Sequence, residues 1–422
     1  MFTAKYLSIA LFFLLLSIAD PQIHAAPAKA VSSNTGHTAQ HQPLVMKTAV
    51  LAALKKHPMS SLGVAHRQVG EAYRSQANAL FAGDPSYNIS YRSDQIDSDQ
   101  GYREFAGSLD FPIWLFGQKN ARYQLANRLI SKADAEQLLL AWQVSGVVLE
   151  RAWDLRIAQM EVEQARVQQQ ATKKLEADVK RRVQAGEIAR ADLLLAQQST
   201  VQRKLAFQQA VAKLAKARNA WKAYTGFNQL PVDLLKQSHV KRSTHDKHPH
   251  NIAAQARIKA AQARREDVGK QRRANPVLSF YVKRDRAIDR DPFNNSLGLG
   301  ISIPFGTKTS SAPRLAEANA RVAELMAKEA EREREHELET SQAKLAVQQT
   351  RKTLSLAKTQ HQLAQQRWKL SKRAFELGES DLFQLILARE QADIQSRHLR
   401  RSQLELSLSQ ARLNHILGAM PL

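Results

Sequence analysis

The sequence predicts a mainly α-helical chain with a small β part, built from two tandem copies of one unit. Three observations support this fold class. Short motifs recur along the chain at a nearly constant offset, each half contains a long stretch without proline, and each half contains two short segments in which apolar and polar residues alternate. Proline-free stretches favour long helices, and period-2 alternation favours strands with one apolar face.

The first residues follow the three-part plan of a secretory signal peptide. Lys5 supplies a positive charge, an apolar run covers Tyr6–Ile18, and a small residue follows at Ala25. The run is too short for a membrane-spanning helix, which needs about 20 apolar residues. We therefore predict that residues 1–25 are a signal peptide and that 26–42 form a flexible segment.

Composition sets further limits. The chain has 422 residues, no cysteine and a formal net charge of +23. The lack of cysteine excludes disulfides and thiolate metal sites. A strong positive charge raises the question of nucleic-acid binding. Here the basic residues are interleaved with Glu, Gln and Ala, as in Glu331–Glu339, which is typical of a solvated helix face. We predict no nucleic-acid partner.

The recurring motifs define the two units. Three of them keep an offset of 191 or 192 residues: Lys56-His57-Pro58 recurs as Lys247-His248-Pro249, Phe111-Pro112 as Ile303-Pro304, and Ala185-Gly186-Glu187 as Leu377-Gly378-Glu379. A unit of this length far exceeds the roughly 20 to 50 residues of solenoid repeats. We predict a first repeat over 43–230, a linker over 231–246 and a second repeat over 247–422.

Each half contains two predicted strands of the length that a tilted membrane strand needs, about 9 to 11 residues. The polar or small residues between the apolar ones, such as Ser108, Asp110, Gly300 and Ser302, are predicted to face a lumen. Loops over 93–101 and 284–295 are rich in Asp, Arg and Asn and are expected to face water. The apolar residues predicted to form an outward face are Tyr87, Ile89, Tyr91, Phe105, Leu109, Phe111, Leu278, Phe280, Val282, Leu297, Leu299, Ile301 and Ile303.

The number of strands limits how they can meet lipid. Four strands can form an ordinary soluble sheet of two hairpins, which is the plain alternative, but they cannot close a transmembrane barrel. Open sheet edges are not tolerated in lipid, because their backbone polar groups would lack partners. If these strands meet lipid, several chains share one barrel.

A very long predicted helix follows each hairpin, since no proline lies within 113–230 or 314–420. At about 1.5 Å per residue, a helix of about 65 residues reaches about 100 Å. Shorter helices predicted over 60–81 and 188–224 together approach the length of the long one. This predicts one long helix beside two stacked shorter helices in each half. A fibrous coiled coil would explain the helices alone, but not the hairpins or the repeat.

The motifs around the strand ends and helix turns resemble those of a known family. They are Phe111-Pro112-Ile113-Trp114-Leu115-Phe116-Gly117, Arg182–Glu187, Asp192-Leu193-Leu194 and Tyr224-Thr225-Gly226 in the first half, and Ile303–Gly306, Ala374–Glu379, Asp381-Leu382 and Ala411–Gly418 in the second. From about Pro43 to the C-terminus, the chain resembles the TolC-like outer-membrane efflux proteins. Within them it resembles the CzcC-like branch that serves heavy-metal and other cation pumps.

This resemblance implies a homotrimer, with a shared 12-stranded barrel in the outer membrane and a helical tube that crosses the periplasm. It implies a periplasmic adaptor, an inner-membrane RND-type pump and outer-membrane lipid as partners. The implied function is a passive conduit that exports metal cations or other small solutes. A type I secretion or drug-efflux channel of the same fold is an alternative, as is an exported structural coiled-coil protein.

The resemblance places the periplasmic tip at the turns that contain Gly186-Glu187 and Gly378-Glu379. Glycine suits these reversals because it adopts positive φ at little cost. Just beyond the turns, the family narrows the tube with acidic residues. Asp192 matches such a position, and its repeat equivalent is Gln384. Asp381 is a further candidate, or it caps the returning helix.

A cluster of histidines invites a metal-site interpretation. It contains His239, His245, His248 and His250, with Asp246 nearby, but the spacing fits no closed ligand pattern and the segment connects the two halves. We predict a solvated linker there. The sequence contains no strand-linked phosphate loop, no nucleophile elbow and no H-E-x-x-H helix. We predict no catalytic site, no cofactor and no resident metal.

Overall fold

The structure is a computed structural model that describes residues 43–239, 247–305 and 308–420. The side chains of 237–239, 308 and 310 are not described. The predicted signal peptide over 1–25, the segment over 26–42 and the linker residues 240–246, which include His245 and Asp246, lie outside the described residues.

The first half contains a hairpin and four helices. Its elements are α1 (Met46–Lys56), α2 (Ser60–Asn78), β1 (Ser86–Ser93), β2 (Arg103–Pro112), α3 (Gln118–Gln184) and α4 (Arg190–Thr225). The short helix α1 is additional to the predicted elements. It ends at His57-Pro58, because the residue before a proline is driven out of the helical conformation.

The second half repeats this order after a 3-10 segment over Leu234–His239. Its elements are α5 (Pro249–Lys270), β3 (Val277–Arg286), β4 (Asn294–Ser302), α6 (Lys308–Glu376) and α7 (Leu382–Ile416). Helix, hairpin, long helix and returning helix therefore occur twice in sequence, as the tandem repeat predicts.

Several boundaries differ from the prediction, three of them by residues that the sequence assigned to another kind of element or to its end. Strand β3 continues to Arg286, through residues predicted as loop, because Arg284 and Arg286 pair with Phe105 and Arg103 in β2. Strand β4 ends at Ser302, so Ile303 lies one residue beyond the sheet. Helix α6 begins at Lys308 and includes Pro313. A proline this close to the helix start removes only one backbone hydrogen bond.

The long helices lie beside the shorter ones. Helix α3 packs along α2 and α4, and α6 packs along α5 and α7. With 67 and 69 residues, α3 and α6 each extend about 100 Å. The predicted arrangement of one long helix beside two shorter ones is confirmed in both halves. Helix α3 also contacts α5 and α7, so the two halves join along it.

Two apolar clusters hold the helices together. The larger one surrounds Trp153 of α3 and Trp221 of α4, with Met46 and Val50 from α1 and Leu408 from α7. The smaller one lies beside the helical turns and combines side chains from α3, α4, α6 and α7, namely Val179, Ala196, Phe375, Leu382 and Leu385. Since the second cluster joins all four helix ends, it fixes the two turns at the same end of the molecule.

Candidate functional site

The four strands form one antiparallel sheet in the order β1-β2-β3-β4, and its register sorts the side chains by face. Tyr87 lies opposite Leu109, Leu109 opposite Phe280, and Phe280 opposite Leu299. Residues opposite each other in neighbouring strands point to the same side of a sheet. The apolar residues of all four strands therefore share one face, which contains Tyr87, Ile89, Tyr91, Phe105, Leu109, Phe111, Leu278, Phe280, Val282, Leu297, Leu299 and Ile301.

Among the described residues, little covers this apolar face. Leu297 is 82% exposed and Ile89 is 68% exposed. Phe111, at the helical end, is an exception, because its ring lies 4.8 Å from the ring of Phe81. Ile303, beyond the sheet, is also exposed. Large contiguous apolar patches are rare on monomeric soluble proteins. The face therefore indicates contact with lipid or with another protein.

The sheet is open at both sides. In the part of the chain that the structure describes, β1 pairs only with β2, and β4 pairs only with β3. Unpaired edges expose backbone donors and acceptors, and four strands are too few to close a barrel. Strands from other chains would have to pair these edges for the sheet to become a barrel wall.

The opposite face of the sheet is polar. At the helical end, the Asn88 side-chain amide donates a hydrogen bond to Asp110. Towards the hairpin loops, Lys283 Nζ lies 3.0 Å from Glu104 Oε2 and 3.5 Å from Asp285 Oδ2. Arg92 lies 3.5 Å from the same glutamate. This face therefore contains charges of both signs, which suits contact with water rather than lipid.

The position of Tyr281 explains why β4 has a glycine at position 298. Its ring lies on the polar face, opposite Gly298 in the neighbouring strand. A Cβ at position 298 would clash with this ring, whereas one at Gly300 would make an ordinary contact of 3.8 Å. Only Gly298 is therefore required by packing, and its absent side chain leaves room for the tyrosine on the polar surface.

The two helical turns have the same geometry. The φ angles are +78° at Gly186 and +77° at Gly378. The backbone N–H of Glu187 donates to the carbonyl of Arg182, and that of Glu379 donates to the carbonyl of Ala374. These bonds are typical of the Schellman motif that ends a helix. A Cβ at either glycine would meet nothing described within 4 Å, so the backbone angle alone favours glycine.

The acidic candidates near the turns have different environments. The Asp381 carboxylate caps α7 by accepting a hydrogen bond of 2.7 Å from the backbone N–H of Gln384. Asp192 is half-buried in the first turn of α4, and the Gln384 side chain is exposed. Asp381 therefore has a structural role, whereas Asp192 and Gln384 stay predicted constriction residues.

A group of charged residues near the turns was not predicted. Arg203 lies 3.3 Å from Glu390, and Arg389 lies 3.4 Å from Asp393 and over the ring of Trp368 at 4.6 Å. These side chains line a cavity of about 110 Å³ between the helices. Burial raises the pKa of Asp393, while Arg389 and Arg203 oppose that change. The group links α4 to α7 across distant parts of the sequence, so no local spacing could indicate it.

His248, just after the connector, has structural partners. His248 caps α5, since its Nδ1 accepts from the backbone N–H of His250, and its Nε2 lies 3.1 Å from the carbonyl of Ile416. Both ring nitrogens are thereby occupied. No set of three or more metal-ligating side chains occurs within the described residues. The side chain of His239 is not described.

No helix in the described ranges is both long enough and apolar enough to cross a membrane.

Comparison with solved structures identifies the fold. The chain is similar to the outer membrane protein VceC from Vibrio cholerae, with 17% identity, a TM-score of 0.68, and coverage of 89% of this chain and 96% of that one. It is also similar to the CmeC outer membrane channel of Campylobacter jejuni, with 13% identity, a TM-score of 0.66, and coverage of 88% and 85%. No family model and no curated protein matches the chain.

A third structure has the same architecture. The MtrE outer membrane channel of Neisseria gonorrhoeae, solved in its open state, shares 15% identity with this chain, at a TM-score of 0.64 and 89% coverage of both chains. Because each likeness spans nearly the whole chain, the four strands and the paired long helices form the TolC-like channel fold. Identities this low show the fold alone.

Proposed function

We propose that this chain is the outer-membrane channel of a bacterial efflux system, with its strands in the outer membrane and its helices in the periplasm. The observation that carries the proposal is the two-faced, open sheet. Its apolar face suits lipid, its polar face suits a water-filled lumen, and its unpaired edges need strands from other chains. The channel is passive and has no enzymatic role.

The assembly that fits these features is a homotrimer. Three copies of a four-stranded sheet give 12 strands, and closed rotational symmetry lets β4 of one copy pair with β1 of the next. The likeness to outer membrane channels supports a sheet that lies in the outer membrane. The helical tip is the surface for a periplasmic adaptor that connects the channel to an inner-membrane pump of the RND type.

The lumen near the tip is narrowed by Asp192 and Gln384 in this proposal. In the described structure, the Asp381 carboxylate caps a helix, whereas the start of α4 has no side-chain cap. The Asp192 carboxylate is therefore available to face the lumen. Asp192→Ala is expected to change the conductance and cation selectivity of reconstituted channels. Unchanged conductance and selectivity would show that Asp192 does not line a constriction.

The cargo is proposed as metal cations or other small solutes. The motifs that resemble the CzcC-like branch support metal cations. Deletion of the gene followed by tolerance assays with zinc, cobalt, cadmium and copper tests this point. Sensitivity to none of these metals, together with sensitivity to organic toxicants, would redirect the cargo to other solutes without affecting the channel.

A pair of arginine substitutions tests the sheet faces. Leu299 lies in the middle of the apolar band, opposite Phe280, whereas Ser279 lies on the polar face, opposite Asp110 and Gly300. An arginine in the middle of the lipid face costs about 2 to 4 kcal/mol, and a trimer carries it three times. Leu299→Arg is therefore expected to reduce heat-modifiable trimers in outer-membrane fractions.

Ser279→Arg is the matched control. It adds the same side chain at nearly the same depth, beside Asp110, and is expected to preserve trimers while changing the conductance of reconstituted channels. Normal trimer yield for Leu299→Arg combined with lost assembly for Ser279→Arg would reverse the two faces and contradict the proposal.

A further inference from the structure

The charges at the hairpin end of the sheet are divided between its two faces. On the polar face, Arg92 and Lys283 are balanced by Glu104 and Asp285, through contacts of 3.0 to 3.5 Å. No such balance exists on the apolar face. There the strands end in arginines, and the acidic residues of the same strands point to the other side.

Three arginines occupy the hairpin end of the apolar face. Arg103 lies opposite Arg286, and Arg284 lies opposite Phe105, so all three share the face of the apolar band. Arg286 is paired with Asp289 and donates to the carbonyl of Gly101 at 3.2 Å. Arg103 and Arg284 make no ion pair with any residue in the described ranges. Each chain therefore presents two uncompensated guanidinium groups at this level.

Aromatic rings lie beside the arginines at the hairpin end of the apolar face. The rings of Tyr91 and Phe105 lie 4.8 Å apart next to Arg103 in the strand register. The guanidinium groups of Arg284 and Arg286 lie 4.7 Å and 5.1 Å from the Phe293 ring, in contacts typical of cation–π pairs. The hairpin end of the apolar face thus combines aromatic rings with arginines, and aromatic girdles mark the membrane interfaces of barrels.

We propose that Arg103 and Arg284 bind the phosphate groups of lipid headgroups in the outer leaflet of the outer membrane. The inference rests on the proposed function, because it requires the apolar face to meet lipid with the hairpin loops outside. Guanidinium groups bind phosphate through paired hydrogen bonds. Stacking on Phe293 orients Arg284 and leaves the N–H groups in the guanidinium plane free to bind phosphate. Three chains place this pair around the barrel three times and hold it at headgroup level.

The test uses full-length trimers in non-ionic detergent, titrated with purified lipopolysaccharide as the probe and followed by native mass spectrometry. The test variant is Arg103→Gln with Arg284→Gln. Attraction of basic side chains to anionic headgroups predicts a loss of about fivefold in affinity for each arginine. We expect the double variant to bind at least about tenfold more weakly by the same reasoning, and wild-type trimers to lose affinity similarly for lipopolysaccharide stripped of its phosphates.

The matched control is Arg92→Gln, which removes one arginine at the same height on the polar face. It is expected to bind lipopolysaccharide as the wild type does. Heat-modifiable trimers on a gel establish that each variant assembles. Should the double variant assemble poorly, Arg103→Gln alone carries the test, with a smaller expected loss of about fivefold.

Three outcomes would overturn the inference. They are unchanged affinity in the double variant, an equal loss in Arg92→Gln, and complete competition by inorganic phosphate at millimolar concentration, which would indicate an anion site without lipid selectivity. Each leaves the trimeric channel intact and so leaves the proposed function standing. Absence of detergent-stable trimers in the wild type would instead contradict both proposals.

Discussion

The two long helices occupy equivalent places in the repeat but have opposite environments. Trp153 of α3 is 0% exposed, whereas Leu345, its equivalent in α6, is 53% exposed. Gly146 lies against the His415 ring, which a Cβ there would approach within 2.6 Å. Its equivalent, Leu338, is 58% exposed. The same position of the repeat is thus buried in the first half and exposed in the second.

Neighbouring helices explain the difference. Within the described residues, helix α3 contacts α1, α2, α4, α5 and α7, whereas α6 packs along α5 and α7 and meets α3 and α4 only in the cluster beside the turns. The uncovered side of α6 carries the leucine stripe, which we define as Leu338, Leu345, Leu356, Leu363 and Leu370, all more than half exposed. Most of its members are seven residues apart, the spacing of a coiled-coil seam. In the proposed trimer, we expect this stripe of the second half to pack against another copy of the chain.

The largest expected effect concerns this stripe. Leu356→Asp with Leu363→Asp is expected to abolish trimers, because burial of each leucine contributes about 1.5 to 3 kcal/mol, in three copies, and the aspartates add unpaired charge. The helical circular dichroism of the separated chain should not change, since neither side chain belongs to its core. Gel analysis of trimers and circular dichroism measure the two effects.

Gln362→Asp is the control for the stripe. It adds one of the two negative charges of the double variant, at an exposed residue beside Leu363 but off the stripe, and normal trimers are expected. Retained assembly in the double variant would mean that α6 faces solvent or lumen, and the comparison of the two helices would need another explanation.

The second effect concerns the core of the first half. Trp153→Ala is expected to lower the free energy of unfolding by about 3 to 5 kcal/mol, the usual cost of removing a buried tryptophan. Leu345→Ala, at the equivalent position, should cost less than about 1 kcal/mol in the separated chain, as surface substitutions do. Urea unfolding in detergent, below the concentration at which chains associate, measures both. Equal losses would contradict the difference in burial.

The third effect is a dependence of stability on pH, which we expect from His248 in the second half but not from the equivalent residue in the first half. Burial chiefly, together with the nearby His336, lowers the pKa of His248 from 6.5 to about 4. Since the folded state holds this histidine neutral, its contribution to stability is complete above about pH 6.5 and is lost as pH falls towards 4. After allowance for solvent screening, we expect a loss of about 2 kcal/mol over this range.

Two variants isolate this dependence. His248→Asn keeps a side chain able to cap α5 and removes the titrating group, so it should reduce the loss of stability between pH 6.5 and 4. His57→Gln changes the equivalent residue of the first half, which is less buried, and should leave the loss unchanged. Thermal melting at several pH values gives the comparison. An unaltered acid response in His248→Asn would assign the dependence to other groups.

The smallest effect should be equal in both halves. Gly186→Ala and Gly378→Ala force alanine into positive φ, which costs about 1 to 2 kcal/mol, and neither adds a steric contact in the described structure. Gly269→Ala is the control, because this glycine lies within α5 with open space around it. Alanine is expected to stabilise that helix by up to about 1 kcal/mol. Thermal melting should show the opposite signs, and unequal losses at the two turns would indicate different tip conformations.

Local patterns in the sequence determined much of this protein. Alternation fixed which residues of each strand share a face, because side chains of a strand alternate strictly. The absence of proline from two long stretches predicted the long helices. Gly186 and Gly378 predicted the turns at which the chain reverses. The offset between motifs fixed the twofold order of elements. These features depend on a few neighbouring residues or on repeated spacing, so the sequence alone could predict them.

Only the tertiary structure determines which strands and helices contact each face of a strand or helix. The pairing of β2 with β3 joined the two halves and placed Arg103 beside Arg286, a relation between residues far apart in the chain. Packing of α3 among five helices buries Trp153, whereas Leu345 at the same repeat position of α6 is exposed. His248 caps α5 through Nδ1 and meets the Ile416 carbonyl at the end of α7 through Nε2, a contact between residues far apart in the chain. Periodicity specifies that a face is apolar or polar, but only the assembled chain determines what covers it.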